Sequence, residues 1–363
     1  MRKRIESLDW LRGLMAITIM IYHLKYWLVK PIGSEGFLGK LGIYGVSIFF
    51  VLSGLSMAIV YSKYIKDLKS SIYFIVRRIF RIWPLLWVCI GIVVLLNFIN
   101  GNKTSVFVVL ANLTTIFGFI RPDAYINTGA WSIGNEMVFY VLTPMIIMAY
   151  ERKHFLGNII LILSFLMLLT FSFFILDSEV ALARQWSIYI NPLNNLFLYV
   201  AGISLFYNLE KISIKPIISI ILAIISFLIF TFYPIAGDHI NIVTGYTRIV
   251  LVFTSILLVF SFYKFAFEEK IPKMISLPME YFGIATYGVY LLHPLVKKSI
   301  EQILGKLGVN DHTILLFLMT VITTIMVALL SYNLFELKMI RIGKVLTSTN
   351  TKKSLLPLFQ RNR

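Results

Sequence analysis

The chain has 363 residues, is 58% hydrophobic and only 14% charged. Its mean hydropathy of +0.83 excludes a soluble globular protein of this size. The formal charge of +17 raises nucleic acid as a partner, but the lysines and arginines stand in short clusters between apolar segments, where membrane orientation explains them. Segments of about 20 apolar residues recur along nearly the whole length, which predicts an all-α, polytopic protein whose first partner is the lipid bilayer. The one cysteine, Cys89, lies inside such a segment, so neither a disulfide framework nor a thiolate metal cage is expected.

The first predicted span, residues 8–29, follows a basic start, Met1-Arg2-Lys3-Arg4. It is too long for a signal peptide, carries Asp9, Arg12 and His23, and lacks a clear small-residue cleavage site, so it is read as part of the mature protein. Further spans are predicted at 42–62, 79–100, 130–150, 159–176, 187–207, 216–235, 247–267, 281–300 and 313–335, ten in all. Residues 106–120 are apolar but short and interrupted by Asn112, Thr114, Thr115 and Gly118. If this stretch does not cross and the N-terminus is cytoplasmic, the inside loops hold Lys63, Lys66 and Lys69 with Arg77, Arg78 and Arg81; Arg152 and Lys153; Lys211 and Lys215; and Lys270 and Lys273. Counting it as a span would invert every later loop against the positive-inside rule. It is therefore expected to be re-entrant or interfacial on the outer side, with both termini cytoplasmic. Residues 1–345 read as one transmembrane domain and 346–363 as a basic cytoplasmic tail.

Several polar groups exceed what membrane anchoring requires. Arg12 and His23 are eleven residues apart; at about 100° per residue they share one helical stripe, about 16 Å apart in depth. Taken alone, Arg12 could snorkel and pair with Asp9 while His23 is a satisfied core histidine. An ionisable group at a helix centre costs about 2.5 to 3.5 kcal/mol on insertion scales, however, and normally faces a bundle interior or wet cavity. Arg78 and Arg81 lie three apart beside Pro84, which is expected to kink or start the third span. Positive-inside anchoring explains either arginine; the functional reading is a phosphate clamp, since guanidinium forks suit phosphate oxygens.

In the fourth span, Trp131-Ser132-Ile133-Gly134-Asn135-Glu136 places a carboxylate about one turn inside the apolar run, with Ser132 on the same face. A capped helix start accounts for part of this. A carboxylate facing the same cavity as His23 would also orient it or raise its basicity. In the ninth span Tyr290, His293 and Lys297 share a face beside Pro294. Two histidines and a glutamate raise zinc, but no metal-binding spacing brings them together, so no metal is expected. The sixth span is unusually polar, with Asn191, Pro192, Asn194 and Asn195, and should border other helices or water.

In this order the motifs resemble the acyltransferase 3 family of integral membrane acyltransferases, which decorate bacterial surface polysaccharides. The resemblance covers about residues 5 to 345. It rests on Arg12 with His23, on Gly45-Val46-Ser47-Ile48-Phe49-Phe50-Val51-Leu52-Ser53-Gly54, on Arg78-Ile79-Phe80-Arg81 with Pro84, on Trp131-Ser132 through Glu136 to Tyr140, and on Tyr287-Gly288-Val289-Tyr290-Leu291-Leu292-His293-Pro294. It implies an O-acyltransferase of the bacterial cytoplasmic (inner) membrane. The implied donor is cytoplasmic acyl coenzyme A, with acetyl coenzyme A favoured by family frequency. The implied acceptor is a hydroxyl of a surface glycan or lipid-linked saccharide, and no obligate protein partner is inferred.

By the same resemblance His23 is the catalytic base, and Arg12, Arg78 and Arg81 stand on the donor side. Glu136 and His293 complete the expected catalytic set, and Trp131, Ser132, Asn135 and Tyr290 the expected substrate contacts. The chain departs from many relatives at Met137-Val138, where a second polar residue often follows the glutamate. It carries no esterase-like domain after the membrane region, so the chemistry is expected to finish within the membrane. The competing class is a transporter or exporter, since intramembrane charge and a broken helix also describe permeation pathways. The absence of a visible internal repeat, and the combination of base, carboxylate and arginine pair, weigh against it.

Overall fold

The computed structural model of the protein describes residues 5–265, 271–308 and 313–348. Lys270 and the predicted basic tail beyond residue 348 lie outside them. Among the described residues there is no β-strand. The helices in chain order are α1 (Glu6–Leu28), α2 (Phe37–Tyr61), α3 (Leu68–Ile99), α4 (Val106–Leu113), α5 (Phe117–Ile120), α6 (Ala130–Arg152), α7 (His154–Thr170) and α8 (Trp186–Tyr189). They continue with α9 (Pro192–Leu209), α10 (Pro216–Phe232), α11 (Ile240–Val243), α12 (Gly245–Tyr263), α13 (Lys273–Lys306), α14 (Thr313–Ser331) and α15 (Leu337–Leu346).

Each of the ten predicted spans coincides with a helix, but they are not equally fit to cross a membrane. Six helices among the described residues are long and apolar enough by themselves: α2, α3, α6, α7 with the π-helical turn that extends it, α12, and α14 continued into α15. The bent pair α8–α9 makes a seventh. Of the remaining three, α10 is only 17 residues long, while α1 and α13 carry several ionisable residues.

Two elements differ from expectation. The third span does not begin near residue 79: α3 starts at Leu68, because Asp67 and Ser70 form a reciprocal capping box, with the Ser70 amide donating to Asp67 at 2.7 Å and the Asp67 amide to Ser70 at 3.0 Å. Arg78 and Arg81 therefore stand on a continuous helix that runs through Pro84. Proline has no N–H for the preceding turn, and that turn is supported from α13, where Tyr287 donates to the Ile82 carbonyl at 2.8 Å. The sixth span is broken rather than merely polar. Asn191 caps α9 by accepting from the Leu193 amide (2.9 Å), Pro192 opens it, and the amides of Asn194 and Asn195 donate to the Tyr189 carbonyl (2.7 and 3.1 Å). The chain bends 61° there. Residues 106–120 form two short helices, α4 and α5, each far below the length of about 20 residues a span needs.

Two glycine contacts set the geometry of the core. α2 and α9 approach so closely at Gly54 and Gly202 that a Cβ on either would overlap the facing backbone. α1 and α13 touch at Gly13 and Gly283, where a Cβ on Gly283 would overlap the Asp9 backbone; such close approach is how small residues bring membrane helices together. Ten residues beyond each of these glycines, His23 meets His293. Equal steps on both helices mean that α1 and α13 run parallel.

Hydrogen bonds gather helix ends into two rims. At one, Ser7 donates to the Phe262 carbonyl (2.7 Å), Lys264 to the Glu210 carbonyl (2.8 Å), Tyr207 to Glu151 (2.8 Å) and Arg77 to Thr347 (2.6 Å). This basic rim carries the described lysines and arginines of the predicted inside loops. At the other, Ser34 bonds Gly237 (3.0 Å), and buried Lys40 donates to the carbonyls of Glu35 (3.1 Å) and Tyr233 (2.8 Å).

Candidate active site

A cavity of about 940 Å³ enters the bundle beside Ile5, Ser62 and Lys63 at the basic rim. Its walls bring together Arg12, Arg78, Arg81, Glu136, Ser132 and Tyr290, six of the ten residues expected from sequence. Arg12 is compensated: Nη1 pairs with Asp9 at 2.5 Å and Nη2 bonds the Ser56 hydroxyl. Arg78 and Arg81 are different, since neither has a carboxylate within 4.0 Å among the described residues.

Arg78 is held by an aromatic box. Its guanidinium lies 5.3 Å from the ring centre of Tyr61 and 5.9 Å from those of Phe74 and Tyr140, and Nη2 donates to the Tyr61 hydroxyl at 2.8 Å. Its Nε is buried without a partner. Cation–π contacts fix the group but leave its charge intact. Two guanidinium groups with no carboxylate at ion-pair distance, facing one cavity, favour an anionic guest.

Glu136 lies deeper. Its Oε1 accepts from Ser53 at 2.7 Å and from Tyr140. Neither serine nor tyrosine neutralises the carboxylate, so it balances part of the arginine charge across the cavity. It does not meet His23: the sequence-based expectation of a shared cavity fails because Tyr290 stands between them. The Tyr290 ring lines the cavity on one side and lies 6.2 Å from the His293 ring on the other. Its hydroxyl meets Ser132 Oγ at 2.9 Å and donates to the Gly129 carbonyl at 3.1 Å. Gly129 sits at φ +86°, a left-handed conformation that favours glycine; a Cβ there would come within 3.2 Å of the Tyr290 ring.

Beyond Tyr290, His23 Nδ1 and His293 Nε2 are 2.9 Å apart with the rings near parallel, and Trp27 lies near parallel to both, 5.0 Å from the His23 ring and 6.0 Å from that of His293. Pro294 explains why His293 is set so firmly. Proline leaves the carbonyl one turn back without its donor, and the loosened turn offers its carbonyls to side chains: His293 Nδ1 lies 3.0 Å from Val289 O, and Asn127 Nδ2 donates to Leu291 O at 2.9 Å. A carbonyl only accepts, so His293 Nδ1 carries the proton. Neutral His293 then presents a bare Nε2, His23 Nδ1 must donate to it, and His23 Nε2 keeps a lone pair.

The remaining expected residues are elsewhere. Trp131 packs edge-on against Phe50 and Trp186. Asn135 is fully buried, with neither amide atom bonded. Lys297 pairs with Glu301 at 2.7 Å instead of joining His293. Sequence reading missed Ser53, Ser56, Tyr61 and Tyr140, the hydroxyls that hold Arg12, Arg78 and Glu136. Tyr140 follows Glu136 by four residues, the spacing that could have revealed it. Among the described residues no group of three histidine, cysteine, aspartate or glutamate side chains could hold a metal ion.

A helical bundle with an arginine-lined cavity that ends at Tyr290, next to a pair of imidazoles, defines an integral membrane protein with a polar centre. The chain belongs to the acyltransferase 3 family, whose profile, described as an acyltransferase domain, matches residues 5–333. The peptidoglycan O-acetyltransferase OatA of Listeria monocytogenes is 29% identical over 169 residues, 42% of this chain and 25% of OatA. The match thus spans a quarter of that relative's length. A protein of Acidianus two-tailed virus that is named as an acetyltransferase is 25% identical over 306 residues, 82% of this chain and 84% of its own. No solved structure matches the chain.

Proposed function

We propose that the protein is a membrane O-acyltransferase carrying an acyl group, acetyl foremost, from cytoplasmic acyl coenzyme A to a sugar hydroxyl of a surface glycan or its lipid-linked precursor. The observation that carries this reading is the arginine-lined cavity that runs from the basic rim and stops one aromatic ring short of the His23–His293 pair. Similarity to OatA supports including peptidoglycan among the acceptors to test.

The proposal includes ten crossings with both termini in the cytoplasm of a bacterium. Loop charge supports it, and so does the parallel course of α1 and α13. An extra crossing between residues 106 and 120 would make those two helices antiparallel.

In this reading the donor's phosphates rest on Arg78 and Arg81, and its pantetheine arm carries the thioester toward Tyr290. Tyr290 swings aside, and the acceptor hydroxyl meets His23. His23 Nε2 takes the hydroxyl proton as the oxygen attacks the thioester carbon, a general-base step worth roughly 100- to 10,000-fold. The C–S bond then breaks, an ester forms, and the thiolate leaves with the proton that His23 held. His293 is a positioning residue that holds the His23 tautomer.

The test is purified protein with acetyl coenzyme A and a glycan acceptor, read by release of free thiol and by mass gain on the sugar. The expected result is acceptor-dependent acetylation that His23→Ala abolishes. Thiol release and sugar mass that stay at background in the wild type would refute the activity.

A further inference from the structure

α12 places another arginine in the bundle, outside the cavity described above. Arg248 is 3% exposed, and arginine does not lose its proton in proteins. Its Nη2 donates to the Asn194 carbonyl (3.0 Å) and to Asn194 Oδ1 (2.6 Å), which ties α12 to the break between α8 and α9. Its Nη1 is buried and has no hydrogen-bond partner. No carboxylate lies within 4.0 Å of it among the described residues. The groups that feel its charge are the phenols of Tyr44 and Tyr189.

Arg248 also borders a small cavity of about 10 Å³, together with Tyr44, Ser47, Tyr189 and Asn195. Most donors around it are already used. Tyr44 donates to the Ile242 carbonyl at 2.5 Å, and Asn195 Nδ2 to the Tyr189 and Asn191 carbonyls at 3.1 and 3.4 Å. Ser47 and Tyr189 bring their hydroxyls to this space. Arg248 Nη1, which has no hydrogen-bond partner, is left to face the space.

Charge and size then limit the guest. An unpaired charge carried into a low-dielectric interior costs several kcal/mol even after relaxation, and a neutral water does not cancel it. A cavity this small holds about one water-sized particle, which excludes phosphate, sulfate and carboxylates. We infer that Arg248, Ser47 and Tyr189 form a site for a monatomic anion of the halide class, which acts as the buried counter-ion of Arg248 and braces the broken α8–α9 span.

The test uses full-length protein in detergent, melted in sodium chloride, sodium bromide or sodium gluconate at equal ionic strength. Halide should raise the melting temperature saturably, on the order of 2 °C or more at tenfold above the dissociation constant. Sulfate should give no such rise. Arg248→Met should remove the halide dependence. If that variant does not fold, Ser47→Ala keeps the test open, because it should weaken the apparent halide affinity several-fold. A bromide crystal should show an anomalous peak beside Arg248 Nη1. Equal melting in chloride and gluconate, a halide effect surviving in Arg248→Met, or a water without anomalous signal at that position would overturn the proposal.

Discussion

On the basic side of Tyr290, charge faces open space. Arg78 and Arg81 have no carboxylate within 4.0 Å among the described residues, and Glu136 is held by hydroxyls rather than by a cation. On the far side the cavity is gone, and two imidazoles bond each other under a tryptophan. The first arrangement suits an anion arriving from water, because its own charges are not paired off. The second suits proton transfer, because each ring nitrogen but one is committed. On the proposed function, the difference means that binding and chemistry are divided between two compartments, with Tyr290 at their boundary.

Breaking the chemical compartment should have the largest effect. His23→Ala is expected to lower kcat by roughly 100- to 10,000-fold while leaving the Michaelis constant for acyl coenzyme A near its wild-type value, since His23 lies outside the donor cavity. His293→Gln should lower kcat less, because His23 keeps its lone pair and loses only the group that sets its tautomer. Steady-state kinetics of both variants check this; a donor constant that moves as much as kcat would merge the two compartments into one.

The binding compartment should respond in the opposite sense. Arg78→Ala removes a charge-assisted donor worth about 1.5 to 3 kcal/mol, so the donor constant should rise roughly 10- to 150-fold with kcat little changed. Arg78→Lys should recover only part, because the planar fork and its stacking in the Tyr61, Phe74 and Tyr140 box are lost. If both variants keep the wild-type donor constant in well-folded protein, membrane anchoring is the better account of this arginine.

How much of this division was legible in the sequence follows from what each signal encodes. Apolar length located the helices, and rotation per residue put Arg12 and His23 on one stripe, so the residues of interest could be named. Which of them share a space depends on helix crossings, and those rest on Gly13 with Gly283 and Gly54 with Gly202, ordinary glycines until the partner helix is known. The hydroxyl shell of Ser53, Ser56 and Tyr61 was hidden for the same reason, because its partners lie on other helices. The break at Asn191 and Pro192 shows as polarity in sequence, but its 61° bend is a tertiary outcome.

The wall itself can be loosened without removing it. Tyr290→Phe keeps the ring and deletes the hydroxyl that bonds Gly129 and Ser132. A net hydrogen bond of about 0.5 to 1.5 kcal/mol corresponds to a roughly 2- to 10-fold greater open population. The expected outcome is a rise of that size in acyl coenzyme A hydrolysis without acceptor, measured by free thiol, beside a fall in transfer to sugar. A variant with no added hydrolysis would mean that Tyr290 is packing rather than partition.

The smallest effect concerns the second rim, behind the histidine pair. His239, in the loop before α11, has its Nε2 3.3 Å from the hydroxyl of Tyr22, the residue next to His23. Burial is the main reason its pKa lies below the ordinary histidine value, with Asp238 and Glu35 pulling the other way. A histidine depressed in the folded state takes up its proton more readily when released, so this contact favours the closed loop above about pH 6.5 and loses that contribution as pH falls through the lowered folded value. Amide exchange across residues 233–239 should therefore quicken as pH drops from neutral toward 5, after correction for intrinsic rates. His239→Gln keeps a hydrogen-bonding amide without the titration, and should flatten that pH dependence while leaving activity at neutral pH close to wild type. Corrected exchange that is equally fast at both pH values in the wild type would separate this loop from the histidine compartment and leave Tyr290 as its one sensitive boundary.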